Sequence, residues 1–125
     1  MNHRIIKTEN APAAVGTYSQ GTVHNGTYYF SGQIGLDPKT MQMQEGFKGQ
    51  MDQILKNIDA VLQSEDLKRT NIIKTSIFVT DLANFGIVNE AYENYFETPY
   101  PARSCVQVPA LPKGAVVEIE VIAGK

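Results

Sequence analysis

The residues with the clearest chemical potential lie in one short segment near the carboxyl end of the chain. Residues 101–109 begin and end with proline, and the sequence between the prolines is typical of a short β-strand. Because successive strand side chains point to opposite faces, Arg103 and the only cysteine, Cys105, share one face. A guanidinium group is always charged and binds carboxylates through paired hydrogen bonds. This face is therefore either an ordinary polar strand surface or a site for a small acid.

A pair of glutamates in the last predicted strand could complete such a site. Glu118 and Glu120 alternate with apolar residues and share a face. If this strand forms a hairpin with the arginine strand around the loop 109–114, one register places Cys105 opposite Glu118. The same register places Arg103 opposite Glu120, and we then expect the guanidinium, the thiol and both carboxylates on one face. A cross-strand ion pair with a purely structural role, contributing about 1 kcal/mol or less, is the alternative.

Other residue patterns carry less chemical information. Ser31 and Gly32 place a hydroxyl beside a residue without a side chain, where a ligand could approach the backbone, although a bulge or strand end explains the pair more simply. A nucleophilic pair of Cys105 with His3 or His24 is a weak hypothesis, because both histidines lie near the amino end. The sequence has no zinc-binding spacing and no glycine-rich phosphate loop, so neither a metal nor an organic cofactor is expected.

The elements that must position these residues follow the predicted order β, β, β, α, β, α, β, β. The Asn25-Gly26 pair is typical of a type I′ turn and predicts a hairpin. Apolar residues recur at helical spacing from Phe47 to Leu62 and again from Phe85 to Phe96, with Asp81 as a cap for the second helix. Strands are predicted at 4–8, 21–24, 27–34, 72–80, 103–108 and 115–123.

These elements predict an α+β fold with one mixed sheet. Each helix has a single apolar face, so both helices should pack on the same side of the sheet. The other sheet face also carries aromatic and aliphatic residues, and no helix remains to cover it. We therefore expect self-association through that face into a symmetric oligomer. No boundary or repeat interrupts the chain, so residues 1–125 are expected to form a single domain.

Composition narrows the class of protein. The 125 residues are 42% hydrophobic and 19% charged with a net charge of −2, which provides no broad basic surface and argues against non-specific nucleic-acid binding. One cysteine cannot form an intrachain disulfide, so a reducing compartment is the simpler interpretation. No apolar run matches a membrane span or the core of a signal peptide. We therefore expect a soluble, cytoplasmic protein.

From end to end the chain resembles the Rid (YjgF) family, and in particular its imine-deaminating RidA branch. The most specific segments are Pro-Ala-Arg-Ser-Cys-Val at 101–106 and the downstream Glu-Ile-Glu at 118–120. Asn-Ala-Pro-Ala-Ala at 10–14, Tyr-Ser-Gln-Gly at 18–21 and Ser-Gly-Gln at 31–33 add to the resemblance. Thr17 departs from the pattern, since many relatives have proline there, but this difference removes no functional group.

The resemblance implies a fold, an activity and a set of site residues. The fold is chorismate-mutase-like, with a mixed sheet, two helices on one face, and a homotrimer whose sheets join into a central β-barrel with ligand clefts between subunits. The activity is hydrolysis of 2-imino acids, the enamine/imine products of pyridoxal-phosphate dehydratases, to 2-keto acids and ammonia without a cofactor. Arg103 would hold the substrate carboxylate and Glu118 would position the attacking water. The other cleft residues implied are Tyr18, Ser31, Gly32, Asn89 and Cys105.

Two functions of other classes stay open beside this one. The first is a small-acid-binding or regulatory protein without turnover. The second is an endoribonuclease or translation inhibitor, an activity ascribed to some relatives, which the acidic charge balance and the lack of a histidine pair argue against.

Overall fold

One mixed sheet, covered by two helices, makes up the fold in a computed structural model that describes residues 2–125. The strands are β1 (Arg4–Ile6), β2 (Gly21–His24), β3 (Thr27–Phe30), β4 (Ile72–Val79), β5 (Ala102–Gln107) and β6 (Val117–Gly124). The helices are α1 (Gly46–Gln63) and α2 (Phe85–Tyr95). The six strands lie side by side in the order β1-β2-β3-β6-β4-β5. The predicted α+β class and order of elements are confirmed.

Both helices connect strands that run in the same direction. β3 and β4 each pair antiparallel with β6 and are therefore parallel to each other, whereas β4 and β5 pair directly in parallel. Parallel strands need a crossover connection, and such crossovers are almost always right-handed. Both crossovers proceed across the sheet in the same sense, so α1 and α2 lie on the same face. The predicted packing of both helices on one side is confirmed.

The predicted hairpin between the arginine strand and the glutamate strand is wrong. β5 and β6 are not neighbours, because β4 lies between them and pairs with both. The reason is topological: α2 carries the chain back over the sheet, so β5 adds in parallel to the outer edge of β4. β6 then returns to the gap between β3 and β4 and forms antiparallel ladders with both.

The strand register decides which face each functional residue occupies. Ile77 of β4, buried beneath the helices, is the register partner of Cys105. Its neighbour Phe78 points to the opposite face and is the register partner of Glu118. Arg103 shares the face of Cys105 by strand alternation. The arginine and the glutamate of one chain therefore project from opposite faces of the sheet, contrary to the expectation that they share one.

The β2–β3 hairpin forms as predicted but ends early. Asn25 and Gly26 have φ angles of 50° and 79°, the left-handed conformations that the type I′ turn needs. β3 stops at Phe30 rather than continuing to residue 34. The chain rejoins the sheet only at Gln33, whose N–H donates to the Ile119 carbonyl at 2.8 Å. The interruption lies at Ser31 and Gly32, in agreement with the expectation of a strand end there.

The apolar stripe of α1 packs into the core as predicted, but two polar side chains lie within the buried face. Asn57 is 1% exposed, and its Nδ2 donates to the Leu36 carbonyl at 2.9 Å. The Oε1 of Gln50 accepts a hydrogen bond from the Val116 N–H at 2.9 Å. These side chains satisfy backbone groups of the loop after β3 and of the segment before β6, where no ladder hydrogen bond is available.

The second helix begins and ends close to its predicted limits. Asp81 caps a short 3-10 helix, Leu82–Asn84, by accepting a hydrogen bond from the Ala83 N–H at 2.9 Å. α2 follows directly, buries Val88 and Tyr92 against the sheet, and stops before the prolines. No helix among residues 2–125 is long and apolar enough to cross a membrane.

The sheet face without helices remains partly open to solvent. Ile5, Tyr29 and Val106 lie on it and are 52%, 47% and 47% exposed. The register connects them through Thr22 and the outward-facing residues of β6 and β4. This uncovered face is the surface from which self-association was expected.

Candidate active site

The predicted site residues separate into two clefts. We call the first the glutamate cleft, a space of about 520 Å³ whose lining includes Tyr18, Ser31, Gly32 and Glu118. We call the second the arginine cleft, a space of about 410 Å³ whose lining includes Asn89 and Arg103. Cys105 lies partly buried close to Arg103. The structure thus brings the predicted residues together as two subsets, and not as one site within a single chain.

Gly32 allows the Glu118 carboxyl group to lie against the backbone where β3 ends. A Cβ atom built at Gly32 would stand 2.9 Å from Cδ of Glu118, closer than carbon atoms pack. The neighbouring Ser31 fixes this turn, because its Oγ donates to the Ser19 carbonyl at 2.6 Å and its N–H donates to the Gln20 carbonyl at 3.0 Å. A residue with a side chain at position 32 would displace the carboxyl group.

Gln20 holds the loop that forms the outer wall of the glutamate cleft. Its buried amide donates to the carbonyls of Thr8 and Pro12 at 2.9 and 2.8 Å, and its Oε1 accepts from the Thr8 N–H at 2.6 Å. These bonds tie the amino-terminal segment to the sheet and leave Tyr18 at the mouth of the cleft, 53% exposed. Sequence reasoning did not assign this role to Gln20.

The surroundings of the Glu118 carboxyl group make its ionised form less stable than it is in water. Partial burial raises the pKa of the Glu118 carboxyl group, and the like charge of Glu120 raises it further. A carboxyl group with a raised pKa exchanges protons more readily near neutral pH, which suits a general acid or base. Within residues 2–125 no three His, Cys, Asp or Glu side chains are grouped so that they could hold a metal ion.

In the arginine cleft, neutral groups hold the guanidinium of Arg103. Its Nη1 donates to Oδ1 of Asn89 at 2.7 Å. Its central carbon lies 5.2 Å from the ring centre of Phe85 and 5.5 Å from that of Tyr92. The ion pairs found among residues 2–125 are Arg4–Glu65, Lys48–Asp52 and Arg69–Asp59. The charge of Arg103 is thus not neutralised by a carboxylate of the described chain, and several of its N–H groups are available to an anion.

Comparison with known proteins identifies the family. Residues 8–125 match the family described as Endoribonuclease L-PSP. A RutC family protein of Aquifex aeolicus is 50% identical over 124 residues, which cover 98% of this chain and 99% of the relative. The chain belongs to the Rid family. Its resemblance to the RidA branch is also confirmed, because a 2-iminobutanoate/2-iminopropanoate deaminase and a crystal structure of RidA are both similar to it.

The deaminase and the RidA structure both match the Rid-family chain over nearly its whole length. The 2-iminobutanoate/2-iminopropanoate deaminase of Salmonella typhimurium is 46% identical over 123 residues, which cover 96% of each protein. The crystal structure of RidA from the Antarctic bacterium Psychrobacter sp. PAMC 21119 has a TM-score of 0.95 at 47% identity, covering 98% of this chain and 99% of the other. The chain therefore shares its fold with these relatives over nearly their whole length.

Cys105 of this Rid-family chain lacks the environment of an activated nucleophile. Burial raises the pKa of its thiol, and the nearby charge of Arg103 opposes that rise only in part. A reactive cysteine needs a lowered pKa, because the thiolate is the nucleophile. His24 lies at the far hairpin, where its Nδ1 is 2.9 Å from the Asn2 carbonyl oxygen. This environment does not support a nucleophilic role for Cys105, which packs against the core beside Arg103.

Proposed function

We propose that this chain is a 2-iminobutanoate/2-iminopropanoate deaminase, which hydrolyses 2-imino acids to 2-keto acids and ammonia. The observation that carries the proposal is the guanidinium of Arg103, which is oriented by neutral groups and keeps hydrogen-bond donors for a carboxylate. A raised pKa at Glu118 and the deaminase named among close relatives support the same reaction. Arg103 would bind the substrate carboxylate through two parallel N–H···O bonds.

Glu118 has the properties that the hydrolytic step requires. The carbon of a protonated imine is electrophilic, so a water molecule held beside it can attack once a base removes a proton from that water. In the proposed reaction the ionised carboxylate of Glu118 accepts this proton while the C–O bond forms. It then returns the proton to the nitrogen, and the C–N bond breaks. As the carbonyl forms, Glu118 takes the remaining proton of the hydroxyl group and passes it to the departing ammonia, which leaves as ammonium. Tyr18, Ser31, Gly32, Asn89 and Cys105 would line the cleft and orient the substrate.

The site is proposed to form between copies of the chain in a homotrimer. Arg103 and Glu118 project from opposite faces of one sheet. A molecule as small as a 2-imino acid would therefore touch both groups only if they came from different copies. The exposed apolar side chains of the uncovered face, such as Tyr29 and Val106, support such an association. Sedimentation of the wild-type protein at low micromolar concentration should give the mass of a trimer, and a stable monomer would contradict this arrangement.

The activity can be tested by coupling the protein to a threonine dehydratase and following the appearance of 2-oxobutanoate. Wild-type protein should accelerate release of the keto acid from the imine, and Arg103→Ala should abolish that acceleration. Arg4→Ala is the matched control, because Arg4 is a surface residue paired with Glu65. If Arg103→Ala and wild type give equal rates, the assignment of Arg103 is wrong. If wild type binds 2-oxobutanoate in calorimetry but does not accelerate its release, the protein is a binding module and the proposed activity is wrong.

A further inference from the structure

The position of Arg103 raises the question of how its side chain is held. Arg103 lies on β5, the edge strand of the sheet, and is exposed to solvent. A long arginine side chain at such a position normally samples many rotamers, and binding a ligand would have to restrict them. Affinity improves when the binding group is already held in its bound orientation. The contacts of the guanidinium therefore matter for ligand affinity.

The hydrogen bond and both cation–π contacts of the guanidinium come from helix α2. The hydrogen bond to Asn89 fixes one nitrogen at 2.7 Å. The rings of Phe85 and Tyr92 lie 5.2 and 5.5 Å from the guanidinium carbon, within the range of cation–π interactions. Positions 85, 89 and 92 follow helical spacing and form a single stripe. We call these three side chains the arginine platform.

The ring of Tyr92 is a fixed part of this platform. Tyr92 is 6% exposed, and its ring packs edge-to-face on Phe96 with a centroid distance of 5.1 Å. Its hydroxyl group has no hydrogen-bond partner within residues 2–125. The ring, and not the hydroxyl group, is therefore the part that can act on Arg103.

We propose that Phe85 and Tyr92 are positioning residues, whose ring faces orient the Arg103 guanidinium for a ligand carboxylate without neutralising its charge. A carboxylate in their place would also orient the guanidinium, but it would compete with the ligand for the same N–H groups. Aromatic faces attract the cation through the ring quadrupole and leave its in-plane hydrogen-bond donors free. The proposal rests on the proposed function in one respect, which is that Arg103 binds the substrate carboxylate.

The experiment measures carboxylate binding and turnover in variants of Phe85, which is only partly buried. In Phe85→Leu, an aliphatic side chain replaces the ring. We expect roughly a two- to fivefold increase in the Kd for 2-oxobutanoate by calorimetry and a similar increase in KM, as expected for one cation–π contact. The kcat should stay within about twofold of wild type, since binding lost equally from substrate and transition state raises KM alone. Phe85→Tyr should restore wild-type values because it restores the ring face.

One further variant separates loss of the ring from a general change in helix α2. Ile87→Ala changes an exposed residue of the same helix that lies outside the platform, and it should also bind 2-oxobutanoate as wild type does. Thermal unfolding of each variant confirms that the compared proteins are folded.

The outcomes distinguish this proposal from the proposed function. If Arg103→Ala loses 2-oxobutanoate binding while Phe85→Leu binds as wild type does, the positioning role is overturned and the deaminase proposal stands. The positioning role is also overturned if Phe85→Tyr is as impaired as Phe85→Leu. If wild type binds 2-oxobutanoate without deaminase activity and Phe85→Leu still weakens binding, the deaminase proposal fails and the positioning role stands. If wild type does not bind 2-oxobutanoate, both fail.

Discussion

A methyl group added at Gly32 would enter the space that the Glu118 carboxyl group occupies. The new Cβ would lie 2.9 Å from Cδ and 3.1 Å from Cγ of Glu118. Since carbon atoms pack at about 3.5–4.0 Å, the carboxyl group would have to retreat by about 0.5–1 Å. The affected atoms belong to a flexible side chain, so it can rotate away at little cost. We expect Gly32→Ala to change the free energy of unfolding by less than about 1 kcal/mol.

The displacement should nevertheless have a large effect on turnover. Moving a reacting group by about 1 Å can cost on the order of 100-fold in rate. We therefore expect kcat/KM in the dehydratase-coupled assay to fall by about 10- to 100-fold, which corresponds to about 1.4–2.8 kcal/mol of transition-state stabilisation. Binding of 2-oxobutanoate should change less, because Arg103 and not Glu118 is proposed to hold the carboxylate.

Gly35→Ala provides the matched control for the same chemical change. A Cβ at Gly35 would lie 2.7 Å from Cα of Gln50, which is backbone of helix α1 and cannot rotate away. This variant should lose about 1–3 kcal/mol of stability through overpacking, measured by thermal or urea unfolding. Wild-type kcat/KM in Gly32→Ala would refute the argument, and so would a loss of stability in Gly32→Ala as large as that in Gly35→Ala.

Two further predictions concern buried polar groups. The pKa of the Glu118 carboxyl group is raised in the folded protein, so wild type loses stability as pH rises through that pKa. Glu118→Gln should therefore unfold at a higher temperature than wild type at neutral pH, and the difference should vanish below the ordinary glutamate pKa. The variant should also lack deaminase activity. An unchanged difference across pH would contradict this linkage. The buried hydroxyl groups of Thr75 and Tyr92 have no hydrogen-bond partner within residues 2–125. Thr75→Val should therefore raise the free energy of unfolding, measured in urea, by about 1 kcal/mol. A loss of stability would indicate that the threonine hydroxyl group has a hydrogen-bond partner.

Because it is buried, the phenol of Tyr92 ionises less readily than an ordinary phenol. Loss of hydration raises its pKa to about 12, while the Thr75 hydroxyl and the Arg103 charge oppose the rise. The two hydroxyl groups influence each other, but they lack the geometry of a hydrogen bond. The phenol therefore stays neutral at physiological pH and leaves the charge of Arg103 uncompensated.

Local sequence patterns predicted the elements of this fold but not how all the strands pair. The Asn25-Gly26 turn and the apolar stripe of α1 depend on residues close in sequence, and both predictions are confirmed. The partner of β5 depends on a crossover through α2, and assuming that consecutive strands pair led to the wrong hairpin. The strand–helix–strand pattern over residues 72–107 was the available signal, because it is typical of parallel pairing.

Motifs predicted residues for the candidate site, but they did not predict how those residues are arranged. Family resemblance supplied Arg103 and Glu118 by motif, and motifs carry no information about which face of a folded sheet a residue occupies. Phe85 and Tyr92 belong to the apolar stripe of the second predicted helix, and such a stripe predicts packing against the sheet, not a contact with an arginine. Their contact with Arg103 joins a helix and an edge strand through tertiary packing, which no local spacing reports.

The separation of Arg103 and Glu118 onto opposite sheet faces has a consequence for how such a protein can diverge. If each cleft takes its arginine from one copy and its glutamate from another, no single copy has to retain both. After a gene duplication, one paralogue can lose Arg103 and the other can lose Glu118 while each mixed trimer still contains one complete cleft. Selection would then maintain the two genes as obligate partners, because neither product alone could build a working site.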